Sequence, residues 1–184
     1  MFYKYPKGSL EVITGPMFAG KSAELIKRIK IWKIAGVETT VFKPQFDTRF
    51  SEQDIVSRTG SKVQAISIQN PQEVWNFIDK NTQAVAFDEV HFFKIEICQE
   101  IIKMLHKGIR VVVSGLDMDF EGKSFDTTAE LLALCDHALK LKAVCMSCKG
   151  QANMSYRKVN SKERHLLGDS EYEARCRICH KKKL

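Results

Sequence analysis

Gly15-Pro16-Met17-Phe18-Ala19-Gly20-Lys21-Ser22 satisfies the pattern G-x-x-x-x-G-K-[ST] at every fixed position. Its flanks give the match meaning. Leu10-Glu11-Val12-Ile13-Thr14 before it reads as a strand. Ser22 to Ala35 after it reads as a helix with Leu25, Ile29 and Trp32 on one face, ended by Gly36. A glycine-rich turn between strand and helix lets backbone N–H groups close around phosphate oxygens, and the helix N-terminus adds partial positive charge. The expected occupant is ATP. Lys21 is placed on the β and γ oxygens and Ser22 Oγ on Mg²⁺.

Working outward, the chain alternates strand-like and helix-like segments. This predicts an α/β fold of the P-loop NTPase (RecA-like) type, a central parallel sheet with helices on both faces. Thr39 to Lys43 reads as a strand stopped by Pro44, and residues 45–62 as a polar, irregular connection. Pro71 to Asp79 reads as a short helix. Ala84-Val85-Ala86-Phe87 and Ile109 to Ser114 are strands apolar enough to be covered on both sides. Between them Ile95 to Lys107 is a helix closed by Gly108, and beyond them come a helix over Thr128 to Cys135 and a strand over His137 to Val144.

A phosphate loop needs a carboxylate at the end of an apolar strand. Asp88 follows Phe87 and is expected to hold the magnesium with Ser22. Glu89 comes next, and adjacent side chains at a strand end point apart. Glu89 is therefore available as a general base, or equally as a residue orienting water.

The six cysteines do not read as a disulfide framework. Cys145-x-x-Cys148 and Cys176-x-x-Cys179, with 27 residues between the pairs, suit a tetrahedral, closed and hence structural zinc site. Such a site pins the base of the intervening loop, whose closure otherwise costs entropy. His180 is a less favoured alternative ligand. Cys98 and Cys135 lie in apolar stretches and read as core. The expected division is a P-loop kinase domain over residues 1–143 and a zinc-and-loop domain over 144–184.

The chain has 184 residues and a formal charge of +7. Residues 144–184 hold ten Lys and Arg against four Asp and Glu, so the excess sits in the cysteine-rich part. A solvated basic tail explains it better than polyanion binding. No apolar run approaches the ~20 residues of a membrane span, and Met1 to Pro6 lacks a secretory apolar core. The expectation is a soluble cytoplasmic protein with neither nucleic acid nor membrane as partner.

These residues resemble the zinc-containing, cellular type of the thymidine kinase family over nearly the whole chain. The resemblance rests on Gly15 to Ser22, on Asp47-Thr48-Arg49, on Asp88-Glu89-x-x-Phe92, on Gly115-Leu116-Asp117 with Phe120, on Tyr172 four residues before Cys176, and on the two cysteine pairs. It implies transfer of the γ-phosphate of ATP to the 5′-hydroxyl of thymidine or deoxyuridine, a step of nucleotide salvage for DNA synthesis. It implies Glu89 as the general base. It implies that the loop between the cysteine pairs is a lasso over the nucleoside, whose backbone at Glu163, Arg164, His165, Leu166 and Leu167 reads the pyrimidine edge. Tyr172 then meets sugar or base. Met17, Phe92, Leu116, Phe120 and Phe125 form an apolar pocket, and Ser155 lies near the pyrimidine 5-substituent. Asp47, Thr48 and Arg49 lie near the phosphates. A homotetramer and feedback inhibition by dTTP are implied as well.

Two positions depart from the family pattern. His91 stands where Gln is common near the γ-phosphate, and Leu167-Gly168 where Gly-Gly is common. Without the resemblance, Phe92, Leu116 and Phe125 read as core. Arg49, Arg58 and Arg157 then compete to stabilise the transferring charge. A zinc-ribbon nucleic-acid-dependent ATPase is disfavoured by the short chain and the lack of stacking aromatics. A nucleotide kinase is disfavoured because it needs more arginines for a substrate phosphate.

Overall fold

The runs Ala84–Phe87 and Val111-Val112-Val113 are apolar at every position because both faces of their sheet are covered. The computed structural model describes residues 7–45, 54–58, 60–161, 163, 164, 166 and 168–181. Asp47, Thr48, Arg49, His165 and Leu167 lie outside the described residues.

β1 (Leu10–Thr14) passes through the glycine loop into α1 (Lys21–Ile34) and returns as β2 (Thr39–Pro44). A small hairpin of β3 (Asp54–Val56) and β4 (Lys62–Gln64) precedes β5 (Ile66–Ile68). A 3₁₀ turn over Pro71–Asn76 leads to β6 (Ala84–Phe87), and a second over Val90–Phe92 leads to α2 (Ile97–His106) and β7 (Arg110–Gly115). Then come α3 (Asp126–Leu134) and β8 (His137–Lys140). The cysteine-bearing remainder holds β9 (Ala143–Val144), β10 (Gln151–Ala152), β11 (Met154–Arg157), β12 (Tyr172–Arg175) and α4 (Arg177–Lys181). Among the described residues no helix is long and apolar enough to cross a membrane.

Six strands form one parallel sheet in the order β5-β2-β6-β7-β1-β8. On one face Leu25, Ile26, Ile29 and Trp32 of α1 pack on Ile13, Val41, Ala84, Ala86 and Val112. On the other, Ile97, Ile101 and Met104 of α2 and Leu131 of α3 pack on Leu10, Val12, Phe42, Val85, Phe87, Val111 and Val113. Alternation along β6 sends its small alanines toward α1 and its larger Val85 and Phe87 toward α2. Phe87 stacks on Phe42 at 5.3 Å between ring centres. Truncating so buried a phenylalanine costs about 3–5 kcal/mol.

The structure adjusts several expected bounds. The polar stretch after Pro44 contains the β3–β4 hairpin, since Ile55 and Val63 reach the α1 side of the core. The short helix after Asn70 is a 3₁₀ turn that keeps i→i+3 bonding to its end, with Phe77 N–H donating to Val74 O. The expected strand over His137 to Val144 divides. Leu141 N–H still bonds Thr14 O at 2.8 Å, after which Ala143–Val144 turns to pair with Gln151–Ala152. The glycine loop, Asp88–Glu89 and Gly115–Asp117 all leave the carboxyl edge of adjacent strands, where ligands bind in open parallel sheets.

Candidate active site

At the end of β1, Gly15 adopts φ 139°, and a side chain there would bring a Cβ within 2.4 Å of Leu141 O. Only glycine fits. Lys21 opens α1, is buried, and donates from Nζ to Pro16 O at 2.9 Å, so it folds back over its own loop. Lys21, Ser22, Arg58 and Glu89 line a cleft of about 260 Å³ with Met17, Phe18 and Leu116.

At the end of β6, separated from β1 by β7, Asp88 accepts hydrogen bonds from Ser114 Oγ and, at 3.0 Å, from Glu89 N–H. Glu89 is in the left-handed region, with φ 48° and ψ 43°. A non-glycine residue there costs about 1–2 kcal/mol, and such strain concentrates at functional sites. Gly115 makes room for the turn, since a Cβ on it would lie 2.9 Å from Val90 Cγ1 and 3.2 Å from His91 N. Ser22, Asp54, Asp88 and Glu89 line a second small cavity together with Lys43. Lys43 and Asp54 were not among the residues expected from sequence. Lys43 is buried in β2 and lines this cavity, and no local sequence signal marks it. The hydroxyl of Ser22 and the carboxylate of Asp88 are the hard oxygen donors that magnesium takes, so they fit that ion.

Next to the glycine loop lies an aromatic cleft. Met17, Phe92, Leu116, Phe120, Phe125, Ser155, Arg164, Leu166 and Tyr172 line it, with His91, Met118 and Asp119. Of the described residues expected there, only Glu163 stands outside. It is exposed, with its N–H on Ser161 Oγ. Ser155 Oγ accepts from Met17 N–H at 3.0 Å, tying β11 to the glycine loop. His91 sits in this cleft and not in the loop's. Its ring lies 4.1 Å from Phe92 and 4.8 Å from Phe125. Its Nδ1 accepts from Leu116 N–H at 3.1 Å and is 3.5 Å from Glu89 Oε2. A nitrogen that accepts from Leu116 has no proton to give Glu89.

Arg157, set among candidate phosphate ligands by sequence, has a different place. Its buried guanidinium lies 3.7 Å above the Phe120 ring. It donates to Tyr172 Oη, to Ser161 O at 3.0 Å and to Arg164 O at 3.3 Å. Tyr172 Oη in turn donates to Leu166 O at 2.9 Å. Arg164 pairs with Asp119 Oδ2 at 2.9 Å and lies over Phe125. Two carbonyls of the segment expected to read the base are thus held from the protein side. Gly168, at φ 146°, keeps a glycine where the family pair is halved.

Sγ atoms of Cys145, Cys148, Cys176 and Cys179 lie within 4.8 Å of one another, and Cys148 and Cys176 are 3.8 Å apart. A tetrahedron of thiolates at ~2.3 Å from zinc has edges of about 3.8 Å. The donor set and its spacing fit zinc. Burial pushes the Cys145 thiol up, but N–H groups of Cys148, Cys176 and Ser147 outweigh this and bring it down to about 6. His180 is not part of this cluster of four thiols; its Nε2 lies 2.9 Å from Phe120 O.

A glycine loop at the end of β1, paired acids at the end of β6 and an aromatic cleft against both fit a kinase for a small molecule. Comparison with known families agrees: residues 8–180 match the one described as "Thymidine kinase". The chain is 51% identical to a thymidine kinase of Mycoplasma mobile over 98% of its length and 90% of the relative's. It is 49% identical to one of Mesomycoplasma hyopneumoniae over 98% and 99%, and 43% identical to one of Metamycoplasma arthritidis over 98% and 94%. The chain belongs to the thymidine kinase family, enzymes that transfer phosphate to thymidine.

Proposed function

We propose that the protein moves the γ-phosphate of ATP to the 5′-hydroxyl of thymidine and of deoxyuridine, with Glu89 as general base. The observation that carries this is the shared wall of two clefts. Met17 and Leu116 line both the cleft of Lys21, Ser22 and Glu89 and the aromatic one. A sugar lying across that wall presents its 5′-hydroxyl to Glu89. Glu89 takes the hydroxyl proton as the oxygen attacks the γ-phosphorus, the bond to the β,γ-bridging oxygen breaks, and ADP leaves. Lys21 draws charge from the phosphates. Ser22 and Asp88 hold magnesium, which neutralises phosphate charge when bound.

The aromatic cleft has a volume of about 30 Å³, close to that of a single water. A nucleoside does not fit the cleft in this conformation. A pocket that discriminates a methyl by apolar contact gains only ~1–3 kcal/mol, which suits a substrate range including deoxyuridine. The same reading divides the chain into a kinase domain over 1–143 and a zinc-and-lasso domain over 144–184. It takes dTTP as a feedback inhibitor spanning both clefts, a homotetramer as the assembly and the cytoplasm as the location.

The test is ATP consumption with thymidine, deoxyuridine, deoxycytidine, deoxyadenosine, thymidine monophosphate and single-stranded DNA in turn. Turnover confined to thymidine and deoxyuridine supports the reading. Turnover that appears only with DNA overturns it and makes Glu89 a residue that positions water.

A further inference from the structure

Arg58 lines the glycine-loop cleft. It follows β3, and Val56 and Ser57 line the same cavity with Lys21, Ser22 and Glu89. Two contacts fix its guanidinium. It lies 4.1 Å over the ring of Phe18, and its Nη2 is 2.7 Å from Asp169 Oδ1. Phe18 is an unusual ledge. At φ 68° it is one of three non-glycine residues in the left-handed region among the described residues, and its ring packs on the cluster of Cys145, Ala152, Ala174 and Cys179. The loop spends backbone strain to present this ring, and the ring carries a cation.

Asp169 is the wrong partner for a permanent structural bond. Its side chain is 33% exposed and that of Arg58 is 47% exposed, although the paired oxygen Oδ1 is itself shielded from solvent; the exposure of the guanidinium weakens the pair. It also sets a negative group on the wall of a cleft that receives a polyphosphate, where like charge is unfavourable. A guanidinium fork matches phosphate oxygens in a bidentate way that a lysine does not. We infer that Arg58 is a phosphate ligand held in waiting: Asp169 keeps it at the cleft wall, and the γ-phosphate of ATP takes it over, so that Arg58 supplies positive charge as the phosphoryl group transfers. The inference rests on the proposed reading of the cleft as the ATP site and adds to it a ligand outside the glycine loop.

Three variants test it, each checked for folding by circular dichroism and for zinc content. Binding of ADP and of the β,γ-imido analogue of ATP is measured by calorimetry, and turnover with thymidine by ADP release. In Arg58→Ala, kcat should fall by roughly a hundredfold, as when a transition-state donor is lost. Affinity for the analogue should fall while that for ADP holds within about threefold, because the contact is to the γ-phosphate alone. Arg58→Lys should recover only part of the loss. Asp169→Asn should tighten the analogue, since the competitor for the guanidinium is gone. Equal losses in Arg58→Ala and Asp169→Asn would mean a structural clasp, and normal turnover in Arg58→Ala would mean no role; either overturns the inference. A wild-type protein inactive on thymidine would instead overturn the proposed function.

Discussion

His180 reaches from the end of the chain's cysteine cluster to the aromatic cleft: its Nε2 lies 2.9 Å from the carbonyl oxygen of Phe120. The carbonyl accepts, so Nε2 carries the proton. The ring also meets Tyr156 edge-on at 5.8 Å. Phe120 is a wall of the aromatic cleft and lies under Arg157. The residue beside the cysteine cluster therefore touches the aromatic cleft through one hydrogen bond.

Replacing His180 by Ala should loosen that wall without emptying the metal site. One net hydrogen bond is worth about 0.5–1.5 kcal/mol, so KM for thymidine should rise about two- to tenfold. KM for ATP and zinc content should stay at wild-type values. Steady-state kinetics beside a zinc assay decides it, and unaltered thymidine affinity sinks the link.

Cys148→Ser tests the centre itself. Three thiolates and a hydroxyl hold zinc far less well than four thiolates. The variant should lose its metal, and proteolysis should then cut within 158–171 faster than in the parent. Thymidine affinity should fall by a larger factor than in His180→Ala. A metal-free variant that binds thymidine normally would show the centre to be irrelevant to the cleft.

Much of this architecture is readable from sequence, for physical reasons. Ala84–Phe87 and Val111–Val113 announce a doubly covered parallel sheet because nothing polar survives there. Gly15 announces the loop because Leu141 O leaves no room for a Cβ. The rest is carried by contacts distant in the chain. β3 and β4 have three residues each, too few for alternation to stand out in a polar stretch. Nothing local to Leu141 announces that its strand leaves β1 for β10. Arg157 reads as one more surface cation until the fold sets Phe120 beneath it. Glu89 has no left-handed preference of its own, and Gly115, on another strand, makes its turn possible.

Arg157 gives the third prediction. It binds carbonyls of Ser161 and Arg164 and the hydroxyl of Tyr172, so it shapes the segment beside the aromatic cleft and is not among the residues lining the glycine-loop cleft. Arg157→Met keeps some of the bulk and loses every donor. Thymidine KM should rise by roughly tenfold or more, since several charge-assisted bonds are lost, and kcat should change less. A loss expressed wholly in ATP affinity would return Arg157 to the phosphate role.

Glu89→Gln separates binding from proton transfer. The amide is isosteric but accepts no proton at neutral pH. Loss of a general base typically costs about 10²–10⁴ in rate, so turnover should fall in that range while ATP and thymidine affinities change little. A rate within about tenfold of the parent, roughly 1.4 kcal/mol, excludes Glu89 as the base.

Glu100 sets an acid limit to stability, remote from the site. Its buried carboxylate accepts from Trp75 Nε1 at 2.6 Å and from Lys103 Nζ at 3.0 Å. Burial pushes its pKa up, but these donors outweigh burial and leave it below the ordinary 4.5. A carboxylate whose native pKa is lowered contributes stability that is full above its unfolded value and fades as pH falls through the native one. Glu100→Gln should therefore be less stable than the parent by about 1–2 kcal/mol at pH 7, the worth of hydrogen bonds to a charged group. Urea unfolding at pH 7, 5 and 3.5 should show the gap steady between the first two and narrowed at the third. A gap that does not change with pH would mean that packing around Trp75, and not the charge, is what Glu100 contributes.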